Sequence, residues 1–152
     1  MIRLCDYLTP DLVKLPLAAH TKSAAIEELV DLVAAAGRTH ARDRLLACVL
    51  AREAQRSTAV GKGLAIPHAK CDATGEMVVA LGVPAAPLPF DAIDGQPVRL
   101  IALLASPLAQ ASLQIQLLAR LSRLALASQV FDQITAAPTP ADLLAVIRAN
   151  DG

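Results

Sequence analysis

Two apolar runs of strand length stand out along the chain, set among stretches where Leu, Val and Ile recur at helical spacing. Met77-Val78-Val79-Ala80-Leu81-Gly82-Val83 and Val98-Arg99-Leu100-Ile101-Ala102-Leu103-Leu104-Ala105 carry almost no polar residue, as expected of central strands covered by helices on both faces. Leu12-Val13-Lys14-Leu15, bracketed by Pro10 and Pro16, reads as an early or edge strand. Between these runs, Ile26, Leu29, Val30 and Val33 share one face of a helix capped by Thr21 or Ser23 and stopped at Gly37. A second helix begins near Thr39, turns Leu45, Leu46, Val49 and Leu50 toward the core, and runs to about Arg56.

After Ser106-Pro107 the pattern is helical. Leu113, Leu117, Leu118, Leu121, Leu124 and Leu126 supply an apolar face while Gln110, Gln114, Arg120 and Arg123 face elsewhere, and a short helix covers Ser128 to Ile134. The last helix is the best marked, with Thr139 as cap, Pro140 at the first position, and Leu143, Leu144 and Ile147 as its stripe. No repeat or linker divides the chain, so the pattern predicts one α/β sandwich domain over residues 1–152.

Composition narrows the function classes. The chain is 55% apolar but 2% aromatic, and Lys plus Arg balance Asp plus Glu at 14 each. With neither a global field nor a base-stacking platform, nucleic acid is not an expected partner. No apolar run reaches membrane-spanning length, which argues against direct membrane insertion. Cys5, Cys48 and Cys71 form no CxxC pair and follow no signal-peptide core, as expected in a reducing cytoplasm. His68 and Cys71 are three apart, but no second pair completes a tetrahedral metal set, so neither metal nor cofactor is expected.

The chemistry concentrates in Gly61-Lys62-Gly63-Leu64-Ala65-Ile66-Pro67-His68-Ala69, a two-glycine loop entering a short apolar strand that ends at Pro67-His68. Proline fixes the backbone just before the imidazole, which places it on a rigid element. His20 and His40 sit near helix starts in polar surroundings, where a solvated or capping role is expected. The sequence has neither a G-x-S-x-G elbow nor a Walker A loop. An imidazole, backbone N–H groups from the glycine loop and one guanidinium are sufficient for phosphoryl transfer, and His68, Gly61–Gly63 and Arg52 offer all three. Arg52 and Glu53 are ambiguous: either they form an ordinary charged helix surface or one leans over the loop starting at Ser57-Thr58.

Arg52-Glu53, Ser57-Thr58, Val60-Gly61 and Leu64-Ala65-Ile66-Pro67-His68-Ala69 together resemble the signature of the fructose/mannitol-type enzyme IIA domains of the bacterial phosphotransferase system. Phe90-Asp91-Ala92-Ile93-Asp94-Gly95-Gln96-Pro97-Val98 resembles a second diagnostic segment and brings the nitrogen-regulatory IIA proteins nearest. The resemblance implies a mixed, mostly parallel sheet flanked by helices on both faces. It also implies phosphorylation of His68 by an HPr- or NPr-like phosphocarrier, support of the phosphate by Arg52, and a pocket shaped by Glu53, Ser57, Thr58, Gly61, Gly63 and Pro67. A regulatory protein target or a IIB-type acceptor would then receive the signal or the phosphate.

One departure stands out. Family members usually carry a second active-site histidine early in the helix after Ser106-Pro107, whereas here the matching position falls on Ala111 or Ser112. Ser112, Gln110 or Gln114 can donate a hydrogen bond there but none carries an imidazolium charge. The leading expectation is a phosphocarrier and regulator. The alternatives are a divergent interaction module without transfer, or the soluble sugar-specific IIA component of a transporter.

Overall fold

The computed structural model describes residues 2–151. Its strands are β1 (Val13–Leu17), β2 (Ala59–Gly61), β3 (Leu64–Ala65), β4 (His68–Lys70), β5 (Val78–Pro84) and β6 (Leu100–Ser106). Its α-helices are α1 (Lys22–Ala35), α2 (Arg42–Gln55), α3 (Ala111–Leu126), α4 (Ser128–Ala136) and α5 (Pro140–Asn150). The six strands form one sheet in the order β1-β5-β6-β3-β2, with β4 pairing β6 beyond the end of β3. The sheet is mixed: β1–β5, β3–β6 and β4–β6 run parallel, while β2–β3 and the long central pair β5–β6 run antiparallel.

The two continuous apolar runs are explained by their position between helical layers. Val78, Ala80, Ile101, Leu103 and Ala105 face α1 and α2, packing with Ile26, Leu29, Val33, Leu45 and Val49. The alternate residues Val79, Leu81, Leu100, Ala102 and Leu104 face α3, α4 and α5, packing with Leu117, Leu121, Phe131, Ile134, Leu143 and Ile147. Because strand side chains alternate, a strand covered on both faces has no position left for a polar residue.

Local signals set most element ends. Thr21, not Ser23, caps α1 by accepting the Ala24 N–H at 3.3 Å, and Thr139 caps α5 by accepting the Asp142 N–H at 3.1 Å. Thr39 does not begin the second helix. Its buried hydroxyl donates to the Ala73 carbonyl at 2.6 Å, and α2 starts three residues later at Arg42. The expected apolar face of α3 also changes at two places. Leu126 is exposed, and Gln114, expected to face elsewhere, is buried at 2% exposure beneath the C-terminal end of β6.

Candidate functional site

His68 opens β4 and pairs in register with Leu104 near the C-terminal end of β6. The peptide before it is anchored to the sheet, since the Leu104 N–H donates to the Pro67 carbonyl at 3.0 Å. His68 Nδ1 lies 2.7 Å from the Ile66 carbonyl. A carbonyl only accepts, so this contact assigns the proton to Nδ1 and leaves the lone pair on Nε2. Burial holds the imidazole below the usual histidine range. The Ile66 hydrogen bond pulls it back up, the Arg52 charge pushes it down again, and Glu53 and Lys70 oppose one another more weakly. A neutral ring with an available Nε2 is the nucleophilic form.

In front of the ring lies an open cavity of about 530 Å³. Cys48, Ala51, Arg52 and Gln55 of α2 form one wall, Ala69 and Lys70 of β4 another, and Leu108 of the short turn before α3 the rim. Arg52 Nη1 donates to the Arg56 carbonyl at 2.9 Å, which braces the side chain against the end of α2. Among the described residues neither Arg52 nor Lys70 joins an ion pair. Two cations unmatched by carboxylates, flanking a neutral imidazole, make a site suited to a doubly charged tetrahedral anion.

A protein-family model described as phosphoenolpyruvate-dependent sugar phosphotransferase system, EIIA 2, matches residues 6–150. The chain belongs to this EIIA family. It is 41% identical over 117 residues, 76% of each chain, to the fructose-specific EIIA component of Haloferax volcanii. The crystal structure of nitrogen regulatory protein IIA-Ntr from Neisseria meningitidis superposes with a TM-score of 0.81 at 26% identity, covering 95% of this chain and 98% of that one. The fold also matches, with a TM-score of 0.81 at 18% identity and coverage of 93% and 97%, a structure of Escherichia coli enzyme IIA mannitol in complex with phosphorylated enzyme IIB mannitol.

Within this EIIA fold the expected pocket residues separate into different roles. Pro67, the residue before His68, is buried. Glu53 is turned away from the cavity and buried. Its carboxylate accepts the Thr58 N–H at 2.9 Å and the Thr58 hydroxyl, and pairs with Lys22 Nζ at 2.8 Å. Ser57 donates to the Phe90 carbonyl at 2.6 Å. Glu53, Ser57 and Thr58 therefore tie the end of α2 to β2 and to the 90s segment, and it is Arg52 that faces the cavity.

The glycine loop is not a phosphate cradle at His68. Gly61, Lys62 and Gly63 all take positive φ, at 94°, 60° and 85°, to turn the β2–β3 hairpin. The Lys62 N–H is already taken by Asp94 Oδ2 at 3.0 Å, and the Gly63 carbonyl accepts from the Arg99 and Leu100 N–H groups. β3 pairs with β6 at Leu100 whereas His68 pairs at Leu104, so the hairpin tip sits roughly 13 Å away along β6 at about 3.3 Å per residue. Glycines near a histidine in sequence signalled a tight hairpin rather than anion binding.

Ser112 is exposed and does not line the cavity. The α3 side chain that reaches the site is Gln114, whose Nε2 donates at 3.2 Å to the Ala69 carbonyl and at 3.2 Å to Ser106 Oγ. Cys48, Ala51, Gln55, Lys70 and Leu108 are the lining residues that sequence reasoning missed. Lys70 was legible as the next outward position after His68 on a strand, two residues on.

Proposed function

We propose that this EIIA protein is a phosphocarrier in which His68 Nε2 accepts a phosphoryl group from the phosphoimidazole of an HPr- or NPr-like carrier in the cytoplasm. The observation that carries the reading is the free Nε2 of a neutral ring facing an open cavity flanked by Arg52 and Lys70. In the transfer, the Nε2 lone pair forms the new N–P bond as the carrier's N–P bond breaks, and the carrier's imidazole leaves with that electron pair. The positive charge developing on the His68 ring is shared with the Ile66 carbonyl through Nδ1–H. Arg52 and Lys70 offset the negative charge on the transferring oxygens.

Phosphorylation of His68 then sets the state in which the protein meets its target. The likeness to the nitrogen regulatory protein supports a regulatory target. The 41% identity to a fructose-specific EIIA component supports the second reading, a sugar-specific IIA that hands phosphate to a IIB-type acceptor. In the interaction-module reading, motivated by the absence of a second imidazole, His68 is not phosphorylated at all.

One experiment separates the three. The protein is incubated with a phosphorylated HPr-type carrier and followed by intact mass, with an acid-labile, alkali-stable phosphate expected on the wild type and lost in His68→Ala. Phosphate that persists in His68→Ala rules out this residue, and no phosphate on the wild type favours the interaction module. Subsequent loss of the phosphate to an isolated fructose-type IIB domain selects the sugar-specific role over the regulatory one.

A further inference from the structure

Cys48 and Cys71 lie on the two sides of the seam where α2 packs on β4. One turn before Cys48, Arg44 Nε pairs with Asp72 Oδ1 at 2.6 Å, which fixes this helix face beside the residue that follows Cys71. The Cys71 N–H donates to the Ser106 carbonyl at 2.9 Å, so its backbone is held by the sheet. Both thiols are free and half-buried, and both pack against the same core cluster between α2 and the sheet. Cys48 also lines the His68 cavity, and Arg52 stands one turn further along the same helix. The third cysteine, Cys5, is elsewhere, its N–H bonded to Asp151.

We propose that Cys48 and Cys71 are a disulfide-forming pair, oxidised by a low-molecular-weight disulfide, whose closure narrows the cavity in front of His68. The thiolate of one cysteine attacks a sulfur of the external disulfide and releases one thiol product. The thiolate of the other then attacks the mixed disulfide and releases the second. Two electrons pass from the protein to the reagent, and the two cysteine protons end on the two released thiols. An S–S bond is about 2.05 Å long, shorter than any contact between free thiols, so closure pulls this stretch of α2 toward β4. Burial, followed by the neighbouring Cys71 thiol, pushes the Cys48 thiol above its ordinary value, so cross-linking quickens as the solution is made alkaline.

The test uses the full chain treated with oxidised glutathione at mildly alkaline pH. The expected product has lost two hydrogens, maps to a Cys48–Cys71 linked peptide, is absent in Cys48→Ser and in Cys71→Ser, and persists in Cys5→Ser. Cavity closure is read by the carbethoxylation rate of His68 with diethyl pyrocarbonate, with exposed His20 and His40 as internal references. Oxidation is expected to slow His68 severalfold against those two, and dithiothreitol to restore it. A stable glutathione adduct on Cys48 or Cys71 without the link, or a link through Cys5, overturns the pair. A mapped link with an unchanged His68 rate overturns the closure. Neither readout depends on phosphate transfer, so failure of the phosphocarrier reading leaves both decisive.

Discussion

Gln114 Nε2 donates to the Ala69 carbonyl at 3.2 Å, so a buried side chain of α3 holds the edge strand at the peptide next to His68. The same nitrogen reaches Ser106 Oγ at 3.2 Å, which joins α3, β4 and β6 at one point. A glutamine there supplies a neutral clamp between the helix and the strand that carries His68. Gln114→Leu keeps the volume but leaves the Ala69 carbonyl and the Ser106 hydroxyl without this donor. It is expected to lower stability by about 1–3 kcal/mol. Transfer to His68 should fall with it, as β4 loses its hold. Urea unfolding together with the phosphorylation rate checks both, and a variant that melts like wild type counts against the clamp.

The pH dependence has a definite sign. Because burial depresses the His68 imidazole in the folded protein, the unfolded chain binds the extra proton first as pH falls below the ordinary value of about 6.5. This group therefore removes stability as pH drops from there toward its folded pKa, and His68→Gln should lose less stability over the same window. The nucleophile also stays neutral to lower pH than an ordinary histidine. An NMR titration of the His68 ring is expected to give a midpoint below the ordinary histidine value of about 6.5. A midpoint at or above that value contradicts the burial argument.

The layered fold was legible because the evidence for it is periodic. The runs at 77–83 and 98–105 could be apolar on both faces only between two helical layers, and the caps at Thr21 and Thr139 are local signals. The site was legible only where one residue carries its own chemistry, as with His68. Gln114 was placed on the wrong face because α3 meets the sheet at the ends of β4 and β6, where a polar side chain finds a carbonyl and a hydroxyl. Nothing in helical periodicity reports such a partner. Gly61 and Gly63 misled for a related reason, since positive φ serves a hairpin as well as an anion nest, and only the register with Leu100 separates the two.

Glu53 is expected to matter for stability rather than chemistry. Its carboxylate satisfies both the N–H and the hydroxyl of buried Thr58 and faces Lys22, whose ammonium also sits 5.1 Å from the centre of the Phe90 ring. Glu53→Ala strands the Thr58 donors and should cost about 2–4 kcal/mol, somewhat less than a fully buried pair because Lys22 retains some contact with water. Differential scanning calorimetry gives the loss. Phosphorylation measured well below the new midpoint should stay within a few-fold of wild type, and a far larger loss would place Glu53 in the reaction.

Gly63→Ala separates the hairpin from the His68 site. At φ +85° an L side chain is strained, and its Cβ would meet Arg99 and Phe131 at 3.4 Å. The expected cost is about 1–2 kcal/mol for the left-handed backbone. Because the hairpin tip lies away from the cavity, the phosphorylation rate of the folded protein should be unchanged. A rate loss out of proportion to stability would restore the loop as a phosphate cradle.

Arg52 and Lys70 divide the charge compensation at the cavity, and their variants should distinguish position from sign. Arg52 is held by its bond to the Arg56 carbonyl, whereas Lys70 is exposed on β4. The fixed guanidinium is therefore expected to contribute more to the transition state, since less side-chain entropy is lost on contact with phosphate. Removing a charge-assisted hydrogen bond costs about 1.5–3 kcal/mol, so Arg52→Ala should slow phosphorylation of His68 by roughly tenfold to a hundredfold. Lys70→Ala should slow it less, and the double variant should lose more than either alone. Arg52→Ala also removes a charge that pushes the His68 imidazole down, so its NMR midpoint should rise. A rate loss without that rise would mean that Arg52 acts on the incoming carrier instead of on the site around His68.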